Sequence, residues 1–178
     1  MEPRGATEIQ HELLEKHVPK ELLDKFQICT SIPGKVPLDK NKINILWQKN
    51  SWDQPNLQNF FKNKDRFKEY DWYVFNSHWS FEKYRYFFKI PEDKCTVIKN
   101  AIDYDELELK TDFTPKKKIK MCYISTPWRG LEIALAAMDG IKDPDITLDV
   151  YSSTIIYGKS FEQQNDDQYK PLYEKAKN

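Results

Sequence analysis

The sequence predicts an α/β protein: Rossmann-like parallel sheets with flanking helices, in two successive units of which the second is incomplete. Three observations carry this. Short apolar runs alternate with helical segments along the chain. The runs are continuously apolar, the pattern of parallel strands covered on both faces by crossover helices. Late in the chain the rhythm restarts: the apolar run Ile119–Ile124 leads through a tight turn to Leu131, Ala134, Leu135 and Met138, which share one helical face.

The elements follow in order. Thr7–His17 is expected to be a helix, with Ile9, Leu13 and Leu14 on one face and capping-box spacing between Thr7 and Gln10. A short helix is expected over Lys20–Lys25, then strands Phe26–Thr30 and Ile43–Trp47 about a loop holding Pro33, Gly34 and Pro37. Helix Gln54–Asn63, a turn at Asp65–Tyr70 and strand Trp72–Phe75 come next. Helix Ser80–Lys89 stacks Phe81, Tyr84 and Phe88, and strand Cys95–Ile98 follows. The charged stretch Asp103–Lys118, with Pro115 and three closing lysines, reads as a linker. Strand 119–124, helix Pro127–Ile141 and strand Ile146–Tyr151 then form a βαβ unit, and a last helix is expected over Gln168–Lys177.

Bulk properties narrow the function. The chain has 178 residues and a formal net charge of zero. A basic excess, the usual mark of nucleic-acid or membrane-surface binders, is missing, so no nucleic-acid partner is expected. Cys29, Cys95 and Cys122 each lie in an apolar segment, far apart in sequence and without a C-x-x-C. They read as reduced core residues of a cytoplasmic protein. No run approaches the length of a membrane span and the opening residues are polar, so neither a transmembrane segment nor a signal peptide is expected. No His or Cys pair has metal-ligand spacing, so neither metal nor cofactor is expected.

The stretch from Tyr123 to Leu131 is the strongest chemical signal. Thr126 suits a helix N-cap and Pro127 the first helical position. The free amides of a first helical turn attract anions. Arg129 sits where the helix dipole disfavours a cation, and a bound phosphate would relieve that conflict. The alternative is an ordinary ion pair from Arg129 to Glu132. Ser125 lies in the same turn, and Ser152 and Ser153 end the next strand on the same sheet edge, within reach of a nucleotide. His78 follows a strand, at the edge where open α/β sheets bind ligands. Asp53 reads either as a catalytic acid or base or as a helix N-cap. His11 and His17 read as structural or solvated.

Several segments in order resemble the GT-B nucleotide-sugar glycosyltransferases, in particular the large retaining group related to family 4. They are Gly5-Ala6-Thr7-Glu8, Ile45-Leu46-Trp47, Val74-Phe75-Asn76-Ser77-His78-Trp79, Ile90-Pro91-Glu92-Asp93-Lys94, Val97-Ile98-Lys99-Asn100-Ala101-Ile102-Asp103, Ser125 to Leu131, and Val150-Tyr151-Ser152-Ser153. The resemblance implies a shortened acceptor-side domain over 1–112, a linker over 113–118, and the start of a donor-side domain over 119–178. It implies a donor bound between them, with Arg129 on its diphosphate and Gly5 and Ala6 near its phosphates or sugar. Asn100 matches an Asn-Gly turn of the family, with Ala101 in place of the glycine. The sequence departs from the pattern elsewhere. The first strand and the later glutamate pair have no counterpart, and Gln48-Lys49 replaces a His-Asp pair, leaving Asp53 as the nearest acid.

The expected activity is sugar transfer from a nucleoside-diphosphate sugar to a carbohydrate or other hydroxyl acceptor, without a metal. Asp53 and His78 are the catalytic candidates. Gly5, Ala6, Asn100, Ser125, Thr126, Arg129, Ser152 and Ser153 are the donor-binding candidates. The alternative is a non-catalytic binding module, or one half of an assembly. The second unit, about 60 residues, is small for an independent core. It is therefore expected to pack on the first sheet, to be completed by an oligomeric or partner chain, or to belong to a longer protein.

Overall fold

The computed structural model describes residues 5–103 and 117–177. Most of the expected linker, with Pro115, Lys116 and the boundary near residue 112, lies outside them. The chain divides into two compact units, with residues 6–103 in one and residues 117–177, together with Gly5, in the other. The fold is α/β, with one parallel sheet in each unit.

In the first unit, α1 (Ala6–His17) and α2 (Lys20–Leu23) precede β1 (Phe26–Thr30) and β2 (Ile43–Gln48). Then come α3 (Pro55–Phe61), a 3₁₀ turn (Lys64–Lys68), β3 (Trp72–Phe75), α4 (His78–Phe88), a 3₁₀ turn (Glu92–Lys94) and β4 (Cys95–Val97). The sheet order is β1-β2-β3-β4, all parallel, so each connection steps in the same direction. Right-handed crossovers in such an order place their helices on one face. The burial agrees. Cys29, Leu46, Tyr73 and Phe75 join Leu57, Phe60 and Phe61 of α3, Phe67 and Tyr70, and Tyr84 and Phe88 of α4 in one aromatic-rich core. Phe61 meets Tyr84 edge-on at 4.8 Å and stacks on Phe88 at 5.3 Å.

The opposite face carries Thr30, Trp47 and Trp72 and has no such core; Trp72 is 39% exposed. Toward their carboxyl ends β2 and β3 are nonetheless buried on both faces as expected, Trp47 and Val74 being 6% and 7% exposed on this one, while the aromatic core itself lies on the other. The sequential strand order gathers α3 and α4 on one side and leaves the other to α1.

That helix differs from expectation. Gln10, not Ile9, is its buried residue. The Gln10 side chain does not turn back to cap the helix. Its Nε2 donates to the Ala101 carbonyl and its Oε1 accepts the Ala101 amide, both at 2.8 Å. This pair ties α1 to the segment leaving β4.

The second unit holds β5 (Ile119–Tyr123), a 3₁₀ turn (Pro127–Arg129), α5 (Leu131–Gly140) and β6 (Ile146–Val150). A 3₁₀ turn (Ile155–Tyr157), α6 (Lys159–Asn165), another 3₁₀ turn (Asp166–Tyr169) and α7 (Lys170–Lys175) complete it. Strands β5 and β6 pair in parallel, Ile119 beside Ile146 and Tyr123 beside Val150. Trp128 gathers Tyr157, Phe161 and Tyr169 at centroid distances of 5.5–5.9 Å.

Two expectations are corrected in this unit. The single helix Pro127–Ile141 is broken at Gly130, whose φ of +104° ends the 3₁₀ turn and sets the start of α5. The last helix, α7, lies within the expected Gln168–Lys177, and α6, which starts after Gly158 at φ +95°, is a separate helix ahead of it. Strand β5 is not buried: a two-stranded sheet cannot cover both of its faces, and Ile119 and Ile124 stand 52% and 78% exposed. Cys122 is exposed with it, whereas Cys29 is buried and Cys95 half-buried; all three are free thiols. Burial pushes the Cys95 thiol up to about 12.

Candidate functional site

Each unit gathers polar side chains where its strands end. In the second unit these are the residues of the Ser125–Leu131 turn. Tyr123 OH donates to the Thr126 carbonyl at 2.9 Å, and the Arg129 amide donates to the same oxygen at 3.0 Å. Ser152 Oγ donates to the Ser125 carbonyl at 2.7 Å and locks the end of β6 to the turn after β5. The sequence places Ser125, Thr126, Arg129 and Ser152 at one edge, and the structure brings them together. Ser153 has a local task, its Oγ accepting the Ile155 amide at 3.1 Å.

Three features give this turn its chemistry. The first intrahelical bond of α5 runs from the Ala134 amide to Gly130, at 2.9 Å, so the amides of Leu131, Glu132 and Ile133 have no acceptor within the helix. Arg129 is exposed and, among the described residues, has no carboxylate or hydrogen-bond partner for its side chain; the pair with Glu132 does not form. Thr126 is 4% exposed, and its Oγ1 is buried with no partner, so it does not cap the turn it precedes. A buried hydroxyl without a partner is costly and calls for an explanation. A turn with aligned amides, a cation and an unused hydroxyl is chemically suited to an oxyanion.

In the first unit the cluster lies at the carboxyl ends of β1 and β2, on the face away from the aromatic core. Lys49 Nζ lies 3.3 Å from the centroid of the Trp47 ring and 3.0 Å from Asn100 Oδ1, to which it donates. His11 Nε2 is 3.4 Å from Thr30 Oγ1, and its ring is 5.7 Å from that of Trp47. Burial lowers the Lys49 ammonium to about 8. Burial first, and the Lys49 charge second, lower His11 below the ordinary histidine range. The indole Nε1 of Trp47 has no partner; neither has Nε2 of the fully buried Gln48, which lies beside Phe75 on the opposite, core face. A strand end with an ammonium that releases its proton near pH 8, an imidazole held below its ordinary range and an orphaned indole donor can bind a polar ligand and exchange protons with it.

Of the sequence-derived candidates in this unit, only Asn100 belongs to the cluster. Asp53 is exposed in the turn after β2; Gln54 holds the N-cap position of α3 and Pro55 its first turn, so the capping role expected for Asp53 is not realised. His78 is exposed in the first turn of α4, which Ser77 caps by accepting the Ser80 amide at 3.1 Å. Ala6 opens α1, and Gly5 groups with the other unit. Sequence reasoning missed His11 and Lys49. The available signal was Lys49 itself, a lysine two residues past Trp47 on the same strand face, but its partner His11 comes from a helix distant in sequence.

Among the described residues, no group of three or more His, Cys, Asp or Glu could hold a metal ion, and no helix is long and apolar enough to cross a membrane. No family model matches the chain, and no curated protein matches it in sequence.

Proposed function

We propose that this protein binds a nucleoside-diphosphate sugar through the Ser125–Leu131 turn and transfers the sugar to a hydroxyl acceptor. One observation supports the reading above the rest. An Arg129 without a side-chain partner among the described residues, the open amides of α5 and the orphaned Thr126 hydroxyl belong to one turn of chain. The bond from the sugar's anomeric carbon to the diphosphate breaks, and a bond to the acceptor oxygen forms. The charge left on the diphosphate is held by the amides and Arg129, without calling on a metal. The acceptor hydroxyl loses its proton as the bond forms, and the departing diphosphate, which carries the charge of the broken bond, takes it. Three free thiols fit a cytoplasmic setting.

A second reading is a binding module or half-assembly without turnover. The exposed apolar residues of β5 favour it, since a further strand from a partner chain would cover them.

The test is calorimetric titration with UDP and GDP sugars, with gel filtration and product analysis alongside. Wild-type binding that falls about tenfold in Arg129→Ala, the loss of one charge-assisted contact, supports the donor site. Absence of binding at millimolar ligand, or an Arg129→Ala variant equal to wild type, rejects it. Binding without sugar transfer by monomer or complex selects the module.

A further inference from the structure

Away from both clusters, four lysines ring one open cavity of about 360 Å³, with Phe67 and Pro91 between them. Lys64 and Lys68 come from the 3₁₀ turn after α3, Lys89 from the end of α4, and Lys94 from the turn that leads into β4. These segments precede β3 and β4, so the cavity lies at the amino-terminal edge of the sheet, opposite Lys49 and Asn100.

The charges are left uncompensated by the local structure. Of the nearby carboxylates, Glu69 pairs with Arg66 at 2.6 Å and Glu82 and Glu92 with Arg85 at 2.6 and 3.1 Å, while Asp65 and Asp93, beside Lys64 and Lys94 in sequence, pair with none of the four lysines. No acidic residue lines the cavity among the described residues. Among the described residues, none of the four lysines has a carboxylate partner. Lys89 also holds its backbone in the left-handed region, at φ +56°, where glycine is the usual occupant of a helix end. Four ammonium groups around one concavity repel each other unless an anion joins them.

We infer that this cavity is a binding site for a compact polyanion carrying two or more phosphate or sulfate groups. Its volume is that of a small-molecule pocket rather than of a groove that follows a nucleic-acid strand. The balanced charge of the whole chain points the same way. Phe67, nearly buried, and Pro91 offer an apolar floor to the carbon skeleton that bears the charged groups. The site shares no residue with the proposed donor turn, so the two stand or fall separately.

The experiment titrates the full chain with inositol hexakisphosphate, tripolyphosphate and inorganic phosphate at low salt. A second arm measures sedimentation with phosphatidylcholine vesicles containing a polyphosphorylated inositol lipid. Lys64→Glu with Lys94→Glu is compared with Lys20→Glu with Lys40→Glu, which reverses two exposed lysines elsewhere, and with Arg129→Ala. The expected result is binding that rises with the number of phosphates and is weakened by salt. Each cavity lysine reversed weakens it about tenfold or more, while the control pair and Arg129→Ala bind as wild type. Affinity for the soluble compounds identifies a free ligand, and affinity confined to vesicles identifies a lipid headgroup. Failure of every probe to bind overturns the inference. So does binding that survives in the cavity variant, or binding lost in Arg129→Ala.

Discussion

Lys49 holds its ammonium 3.3 Å from the centre of the Trp47 ring. The contact replaces part of the hydration that burial removes, since an aromatic face attracts a cation. The replacement is partial, because the amine still falls from its ordinary value of 10.5 to about 8. A lysine just past the end of β2 thus becomes a group that can carry or release a proton near pH 8.

The first prediction concerns that titration. Below about pH 8 Lys49 is protonated in both folded and unfolded chains, and the cost of burying its charge is fully present. Between about 8 and 10.5 the unfolded chain keeps a proton that the folded chain has released, so stability rises with pH across this window. Denaturant unfolding of wild type and Lys49→Met should show the difference moving in favour of wild type from pH 7 to pH 10. Half-burial keeps the effect modest. A difference independent of pH rejects the assignment.

His11 reports on the same charge. Its depression comes from burial first and from Lys49 second. Proton NMR of the His11 ring should therefore show its titration moving upward in Lys49→Met, part of the way toward the ordinary histidine value. No movement would mean that the two groups are uncoupled.

Gln10 fastens α1 to the chain beyond β4 through two hydrogen bonds to Ala101. Gln10→Ala should cost about 1–2 kcal/mol, since the backbone groups of exposed Ala101 regain water while the buried contact is lost. Hydrogen exchange should quicken at the Ala101 amide in the variant. Unchanged protection there would show that the bond is not formed in solution.

Gly130 permits the break between the Pro127–Arg129 turn and α5. A Cβ there would meet nothing within 4 Å, so substitution is opposed by the backbone alone. With φ at +104°, Gly130→Ala should lose about 1–2 kcal/mol of stability. An Ala variant as stable as wild type would indicate a continuous helix from Pro127 onward.

Thr126 separates binding from stability. Thr126→Val removes a buried hydroxyl that has no partner while keeping its shape, and should leave stability equal or raise it by about 1 kcal/mol. If the hydroxyl serves the donor diphosphate, nucleotide-sugar affinity falls in the same variant. A loss of stability instead would assign the hydroxyl a structural bond.

The sequence by itself determined the fold class and most elements. Strands Phe26–Thr30 and Trp72–Phe75 lie where their apolar runs predict them, because a run of that length between turn residues has one economical conformation in a parallel sheet. The turn after β5 was legible in part: Pro127 opens it as its fixed φ predicts, but Thr126 does not cap it and Gly130 breaks the expected helix. The tertiary structure decided what local pattern cannot encode. The meeting of His11 with Trp47, of Lys49 with Asn100 and of four lysines at one cavity joins residues from separate elements. Which face of the sheet received the aromatic core followed from the sequential strand order. The lowered proton affinity of Lys49 follows from burial, which exists only once α1 has closed over the strand ends.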